Sequence, residues 1–219
     1  MNTLIIDKEM MLENYSGNIK ITKDVKLLIK GTCKIYEIID DDGYDLDITI
    51  NDNANLEYNR FCLAKNSSKV SINQCDGSVL KYNESILGLS DYKLKLDVYI
   101  NGSQINSDTN INVLAKKGSK VEVAANGIIA KGTKENVINE ALKGFNVNNG
   151  QTSFYPNLIV DSYHVSASHN ATIKNVDKNE MFYLQSKGLK KETALKLLEE
   201  SFLLNIFSND FRDVIRKYL

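Results

Sequence analysis

The chain has 219 residues, of which 42% are hydrophobic and 25% charged, and its formal net charge is −1. This length can bury one good core, either as a single long domain or as a domain with an appendage. The near-zero net charge gives no sign of a basic surface that would bind nucleic acid, and no apolar run is long enough to span a membrane. The opening MNTLIIDKEMMLENYSG lacks the ordered regions of a secretory signal, and we therefore expect a cytoplasmic protein.

The three cysteines, Cys33, Cys62 and Cys75, form an odd set without a C-x-x-C pair. Their separations match no standard zinc or cluster motif. In a reducing compartment we expect free, half-buried thiols.

From Leu4 to about Ile173 the apolar residues mostly alternate with polar ones, which predicts one strand after another. The longest regular run covers residues 92–100. Segments rich in Asn, Asp and Gly separate the strands, and these residues favour turns because they tolerate left-handed backbone. Such separators lie at residues 40–45, 51–55, 73–78 and 101–110.

Many short strands without intervening helices fit a sandwich, a barrel or a β-solenoid, and composition does not choose among them. The phrases NANLEYN, GSVLKYN and GSKVEVA recur loosely, each as a small polar turn followed by an alternating strand. That recurrence is typical of a degenerate solenoid, although scattered turn residues in any β protein would produce it too. One segment, residues 134–143, could instead form a helix, with Val137, Ile138, Ala141 and Leu142 on one side.

After Ile173 the apolar spacing becomes helical. Asp177 and Glu180 resemble a capping box, in which each side chain bonds a free backbone N–H. This first helix should run to about Lys187 and stop at Gly188, which supplies the left-handed position after a helix. A second helix should start near Lys190 and a third after Ser208 or Asn209. We expect this appendage to cover one end of the sheet structure, to meet a partner, or both.

The region between residues 156 and 206 carries an ordered series of motifs that resembles the SufB/SufD proteins of iron–sulfur cluster assembly. The resemblance extends over about residues 120 to 206. The matching residues are Pro156, Ser168, His169, Asn170, Ala171, Thr172, Asp177, Phe182, Tyr183, Leu184, Gly188, Glu192, Ala194 and Phe202.

The resemblance implies a mainly β fold, with a right-handed parallel β-helix over residues 1–174 and a small C-terminal α-helical domain over residues 175–219. It also implies a scaffold role in a SUF-type assembly complex. The partners would be a SufC-like ATPase and, through the β-helix, a second SufB/SufD-type subunit or another copy of the chain. A cluster would be held transiently rather than stably.

The same resemblance suggests where those partners bind. The ATPase would dock on the C-terminal helices, and the alternative is that the docking residues form the core of the appendage. Nearby charged residues should be solvated and could rim the interface. The docking residues are Phe182, Tyr183, Leu184, Gly188, Glu192, Ala194 and Phe202. The charged ones are Lys187, Lys190, Lys191, Glu192, Glu199 and Glu200.

His169 is the candidate cluster ligand, because imidazole suits iron and the relatives keep a histidine at this point. The alternative is a turn histidine that bonds nearby backbone. The second histidine, His164, lies five residues earlier, and this odd spacing puts the two rings on opposite faces of a strand. Residues 141–155 lack the cysteine of SufB-type members, which makes the chain SufD-like. Other ligands would come from carboxylates such as Asp161 or Asp177, or from a partner.

Enzyme motifs are absent from the sequence: it contains no P-loop, no H-E-x-x-H and no G-x-S-x-G. We therefore do not expect an enzyme. Two other functions stay open, a metal-free interaction module of the same fold and a carbohydrate-binding solenoid. The chain is also shorter than most SufB/SufD proteins.

Overall fold

The computed structural model describes residues 3–40, 43–63 and 66–219. It contains fifteen β-strands followed by three α-helices and a final 3-10 turn at Arg216–Tyr218. The strands are β1 Leu4–Ile6, β2 Met10–Glu13, β3 Ser16–Ile21, β4 Val25–Lys30, β5 Thr32–Ile39, β6 Asp45–Ile50, β7 Asn55–Cys62, β8 Ser68–Gln74, β9 Val79–Gly88, β10 Tyr92–Ile100, β11 Asn106–Ala115, β12 Lys120–Ile129, β13 Lys134–Asn146, β14 Gln151–Val160 and β15 His164–Asn175. The helices are α1 Lys178–Ser186, α2 Lys191–Leu204 and α3 Asn209–Ile215.

The strands alternate between two parallel sheets, and each circuit of the chain adds one strand to each sheet. The odd-numbered strands form an eight-stranded sheet in the order β1-β3-β5-β7-β9-β11-β13-β15. The even-numbered strands form a seven-stranded sheet in the order β14-β12-β10-β8-β6-β4-β2. This arrangement is a β-solenoid, which confirms the predicted fold class.

The core of the solenoid lies between the two sheets. Alternate side chains of each strand point inward, and in β4 and β6 the inward residues, among them Leu27, Ile29 and Ile48, are almost completely buried. The period-two pattern therefore predicted these strands correctly. The possible helix at residues 134–143 is wrong, because this segment belongs to β13 and pairs with both β11 and β15. Pairing on both sides satisfies its backbone and outweighs the weak helical spacing.

Asparagine and aspartate side chains at the turns join one circuit of the chain to the next. Each accepts a hydrogen bond from a backbone N–H in the following circuit. The bonds are Asn14 Oδ1 with Thr32 N at 3.0 Å, Asp24 Oδ1 with Asp45 N at 2.8 Å, Asp76 Oδ1 with Ser103 N at 2.6 Å and Asp91 Oδ1 with Lys120 N at 2.8 Å. In the predicted turn at residues 40–45, Asp41 and Asp42 lie outside the described residues.

A stack of three charged residues, Glu37, Arg60 and Glu84, crosses the largely apolar interior. They occupy paired positions on β5, β7 and β9, and none is more than 2% exposed. Arg60 Nε donates to Glu37 Oε2 at 3.1 Å, and Nη1 donates to Glu84 Oε2 at 3.2 Å. The hydroxyl groups of Tyr58 and Tyr82 also donate to these carboxylates. One guanidinium thus offsets two buried carboxylates.

Both ends of α1 lie close to where the sequence predicted them, and the helix stops before Gly188. Asp177 Oδ1 accepts from Asn179 N at 2.7 Å at the N-terminus of the helix. The prediction that the Glu180 side chain bonds a free backbone N–H is wrong, because its carboxylate lies 3.7 Å from Lys174 Nζ instead. At the other end, Gly188 has a φ of +90° and Leu189 N donates to Leu184 O at 3.3 Å, which is a Schellman arrangement.

Helices α2 and α3 pack on the outer face of the eight-stranded sheet rather than over one end of it. Of the two expected roles of the appendage, covering an end is therefore wrong, and meeting a partner stays a prediction. The reason is an apolar patch on that face, to which four neighbouring strands each contribute a residue. Ser85 and Asn112 hold the C-terminal end of α2, because their side chains donate to Leu203 O at 2.6 Å and Phe202 O at 2.8 Å. The patch consists of Phe61, Leu87, Leu114 and Phe145, and the helical side contributes Phe202, Leu203, Leu204, Phe207, Phe211 and Ile215.

Among the described residues, no helix combines the length and apolarity that crossing a membrane requires.

We expect Arg60→Met to lower the free energy of unfolding by about 3–5 kcal/mol, because Glu37 and Glu84 would be left as uncompensated buried charges. Urea denaturation at neutral pH measures this. The control is Arg216→Met, which removes exposed ion pairs to Glu200 and Asp213 and should leave the free energy of unfolding almost unchanged. Equal losses in the two variants would contradict the prediction.

Candidate functional site

The last circuit of the solenoid, β14 and β15, leaves one end of the molecule open. Each of these strands pairs with a single neighbour, β12 or β13, and stands last in its sheet. Pro156 lies within β14, which suits an edge strand because proline has no N–H to donate. Large apolar side chains are exposed here. They are Tyr155, Ile159, Val160, Tyr163 and Ile173.

His169 lies on β15 and faces the interior side of this open end. Paired residues of parallel strands point to the same side of a sheet, and Val165 packs against the interior core. Ile173 also faces inward, since a Cβ added to Gly144 would lie 3.2 Å from its Cγ1. His169 has the same parity as these two residues. His164 has the opposite parity, as the five-residue spacing predicts.

Glu140, on β13, is the residue paired with His169 across the strand ladder. It is 4% exposed, and its Oε2 atom has no hydrogen-bond partner in the part of the chain that the structure describes. Burial raises the pKa of Glu140 to about 7. Gly127 on the facing β12 leaves room for it, since a Cβ there would lie 3.0 Å from Glu140 Oε1.

The structure therefore brings a carboxylate and an imidazole together at the open end, with their strands about 4.8 Å apart. These are oxygen and nitrogen donors of the kind that divalent iron accepts. The other candidate carboxylates do not join them. Asp177 caps α1, and Asp161 is an exposed residue just after β14. Within residues 3–40, 43–63 and 66–219, no three His, Cys, Asp or Glu residues are grouped so as to hold a metal.

The cysteines lie elsewhere and none of the three forms a disulfide, as predicted, although Cys33 and Cys62 are more deeply buried than expected. Cys33 on β5 and Cys62 on β7 are buried, and the Cys33 thiol donates to Leu12 O at 3.5 Å. Cys75 is half-buried, and burial raises the pKa of its thiol, with Asp52 and Asp76 raising it further. β7 stands four strand positions from β15 in the eight-stranded sheet, which puts these thiols far from the open end.

The residues predicted to dock an ATPase divide into an exposed group and a buried group. On α1, Phe182 is 75% exposed and Tyr183 60% exposed, whereas Leu184 is half-buried. On α2, Ala194 and Phe202 are buried, and Phe202 belongs to the apolar cluster between the helices and the sheet.

Two charged residues near the start and middle of α2 differ in their surroundings. Glu192 is exposed in the first turn, as expected for a residue at the rim of an interface. The prediction that Glu199 is solvated is wrong, because it is 7% exposed and its carboxylate lies 2.5 Å from Lys116 Nζ. Lys116 follows β11 and approaches α2 where the helix crosses the sheet.

Sequence reasoning missed Glu140. The one available signal was an acidic residue at a position where alternation calls for an inward side chain, between Ile138 and Leu142. The helical interpretation of residues 134–143 concealed that signal. The pairing with His169 could not be read from sequence, because it depends on the length of a whole circuit and on an irregularity between Lys134 and Asn136.

These features define the class of protein as a parallel β-solenoid with helices on one sheet face and an open terminal circuit. A comparison with protein-family models gives a more specific assignment. The family model described as the SufBD core domain of SUF-system FeS cluster assembly matches residues 128–202, from the end of β12 into α2. This match supports membership of the chain in the SufB/SufD family and a role in SUF iron–sulfur cluster assembly. No curated protein matches the chain.

We expect Glu140→Gln to stabilise the protein at pH 8 and to have little effect at pH 4. The folded-state pKa of about 7 lies above the ordinary value of 4.5. Wild-type stability should therefore fall as pH rises from about 4.5 to 7, where the unfolded chain has released the proton and the folded chain still holds it. Glu140→Gln has no proton to release at this position, so its free energy of unfolding should not fall in this way. The fall in wild type amounts to about 3 kcal/mol at most.

Urea titrations of both proteins across this pH range measure the difference. Glu122→Gln is the control, because its carboxylate pairs with Lys93 on the outer surface. A stability difference between wild type and Glu140→Gln that does not change with pH would contradict the prediction.

Proposed function

We propose that the chain is a scaffold subunit of a cytoplasmic SUF-type assembly complex that docks a SufC-like ATPase through its C-terminal helices. The match of residues 128–202 to the SufBD core domain carries this proposal. In the same proposal the solenoid end joins a second SufB/SufD-type subunit or another copy of the chain. His169 is the candidate ligand for a transient cluster, which is cargo of the complex.

The surface of α1 supports the docking proposal. Only Met181 of this helix is buried, which leaves the neighbouring Phe182 and Tyr183 rings largely in solvent. Adjacent exposed aromatic rings cost little ordering entropy on binding and are common anchors at interfaces. Leu197 on α2 is a further exposed apolar residue, 49% exposed. A partner helix or groove that covers these residues would bury apolar area without unfolding the appendage.

We expect Tyr183→Asp to abolish co-purification with a SufC-type ATPase from the same genome, because it places a charge in the centre of the proposed contact. The protein should stay folded, since Tyr183 is exposed. Circular dichroism checks the fold, and affinity co-purification measures the complex. The matched control is Tyr155→Asp, a similarly exposed tyrosine at the solenoid end, which should leave ATPase binding intact.

Phe202→Asp serves a different purpose in this experiment. Its side chain packs on Phe145 with ring centroids 5.5 Å apart, and the variant should lose both the appendage and the complex. If wild type forms no complex, or if Tyr183→Asp binds as wild type does, the docking proposal fails.

The open end supports the pairing of subunits. β14 and β15 present two long strand edges and an apolar rim, which a second solenoid end could cover. A small residue at this end, Ala171, shares its parity with His169 and faces the interior side.

We expect Ala171→Lys to weaken pairing with the second subunit or copy, because a desolvated ammonium group would lie in the contact. Light scattering or sedimentation measures the association state. Ala124→Lys, on the outer face of β12, is the matched control and should leave it unchanged. Equal association of Ala171→Lys and wild type would overturn this part of the proposal.

A further inference from the structure

We propose that four exposed lysines beside the aromatic rings of α1 bind an acidic rim on the docking partner. The inference deepens the proposed function and rests on it, because the partner at this surface is the ATPase. It states which chemistry the ATPase presents at the contact. The four lysines, which we call the basic collar, are Lys187, Lys190, Lys191 and Lys196.

The charges of the basic collar are not balanced within the chain. All four side chains are exposed, and none forms an ion pair with another residue that the structure describes. Three of the four carboxylates on α1 and α2 are already paired elsewhere, and only Glu192 stays available to the collar. The existing pairs are Glu180 with Lys174, Glu199 with Lys116 and Glu200 with Arg216.

Two lysines of the collar occupy positions that are unfavourable for the fold. Lys190 is the N-cap of α2 and makes no side-chain capping bond, and Lys191 is the first residue of the helix. A helix N-terminus carries partial positive charge and disfavours cations, and the residues preferred at an N-cap are Ser, Thr, Asp and Asn. Residues that break such local rules without compensation inside the fold are expected at functional sites. These two lysines therefore indicate a role outside the fold.

The basic collar lies beside the apolar residues of the proposed contact. Lys187 Nζ is 5.5 Å from the centroid of the exposed Tyr183 ring. Farther along, Lys196 lines a groove on α2 together with the exposed Leu197. An apolar centre with a polar rim is the usual arrangement of a protein interface. Because the rim here is mainly positive, a complementary partner carries carboxylates around an apolar groove.

The test is calorimetry of the full chain with a SufC-type ATPase from the same genome, at about 0.05 M and about 0.5 M salt. We expect Lys190→Asp to weaken binding by about tenfold or more at low salt, because it places a negative charge against the acidic rim. Lys190→Ser, which only removes the charge, should bind with intermediate affinity. Lys131→Asp, the same change at an exposed turn before β13, is the matched control and should bind as wild type does.

Thermal unfolding of the same variants, followed by far-UV circular dichroism, separates recognition from folding. Lys190→Asp and Lys190→Ser should raise the melting temperature of the helices, because each supplies a capping side chain at the N-terminus of α2. Weaker docking by a more stable appendage would exclude damage to the fold as its cause. A lower melting temperature in both variants would overturn the argument from the position of Lys190.

The outcomes distinguish this inference from the docking proposal on which it rests. If the complex forms, and wild type and Lys190→Asp bind equally well at both salt concentrations, the collar has no role and docking stands. Binding of wild type to phosphatidylserine vesicles, lost in Lys190→Asp while ATPase affinity is unchanged, would assign the collar to a membrane surface instead. If wild type forms no complex with the ATPase, the docking function itself fails and the inference fails with it.

Discussion

Parallel, in-register pairing between successive circuits is the constraint on which this structure depends. Because paired residues point to the same side of the sheet, each inward residue lies directly against the inward residue of the next circuit. An apolar residue thus extends an apolar column, and a charged one requires a compensating neighbour. The Glu37–Arg60–Glu84 stack meets that requirement inside the solenoid. Glu140 and His169 also occupy paired positions at the open end, but Glu140 has no compensating charge recorded among the described residues.

The outer face of the eight-stranded sheet shows how this architecture receives the C-terminal helices. Most of its outward positions are polar, and asparagine side chains bond along the strand stack, as Asn83 does with Asn59 at 3.0 Å. The apolar patch beneath α2 and α3 interrupts this polar surface. The helices are held there by Ser85 and Asn112 as well as by packing. One sheet therefore contributes the interior of the solenoid on its inner side and positions the helices with the proposed ATPase surface on its outer side.

The sequence predicted the local structure better than the contacts between distant segments. Period-two alternation identified strands such as β10, and the Asp177 and Gly188 signals located the ends of α1 correctly. The resemblance pointed to His169. Neither the local sequence patterns nor the resemblance could reveal Glu140. Its partner on the next strand is 29 residues away, and strand register rather than a short sequence spacing brings the two together. The position of α2 was equally hidden, because the patch that receives it is assembled from single residues on four strands.

The circuits of the solenoid lengthen along the chain, and this has a consequence for the order of assembly during synthesis. The paired residues Leu4 and Ile19 are 15 positions apart, whereas Asn106 and Val137 are 31 apart. Each doubling of a closed loop adds about 0.6 kcal/mol of entropic cost, and the shortest loops are also the first to leave the ribosome. The shorter circuits can therefore close early, and their strands then offer edges on which the longer circuits pair. The last circuit and the helical face come together last, and a partly synthesised chain therefore lacks both of these surfaces.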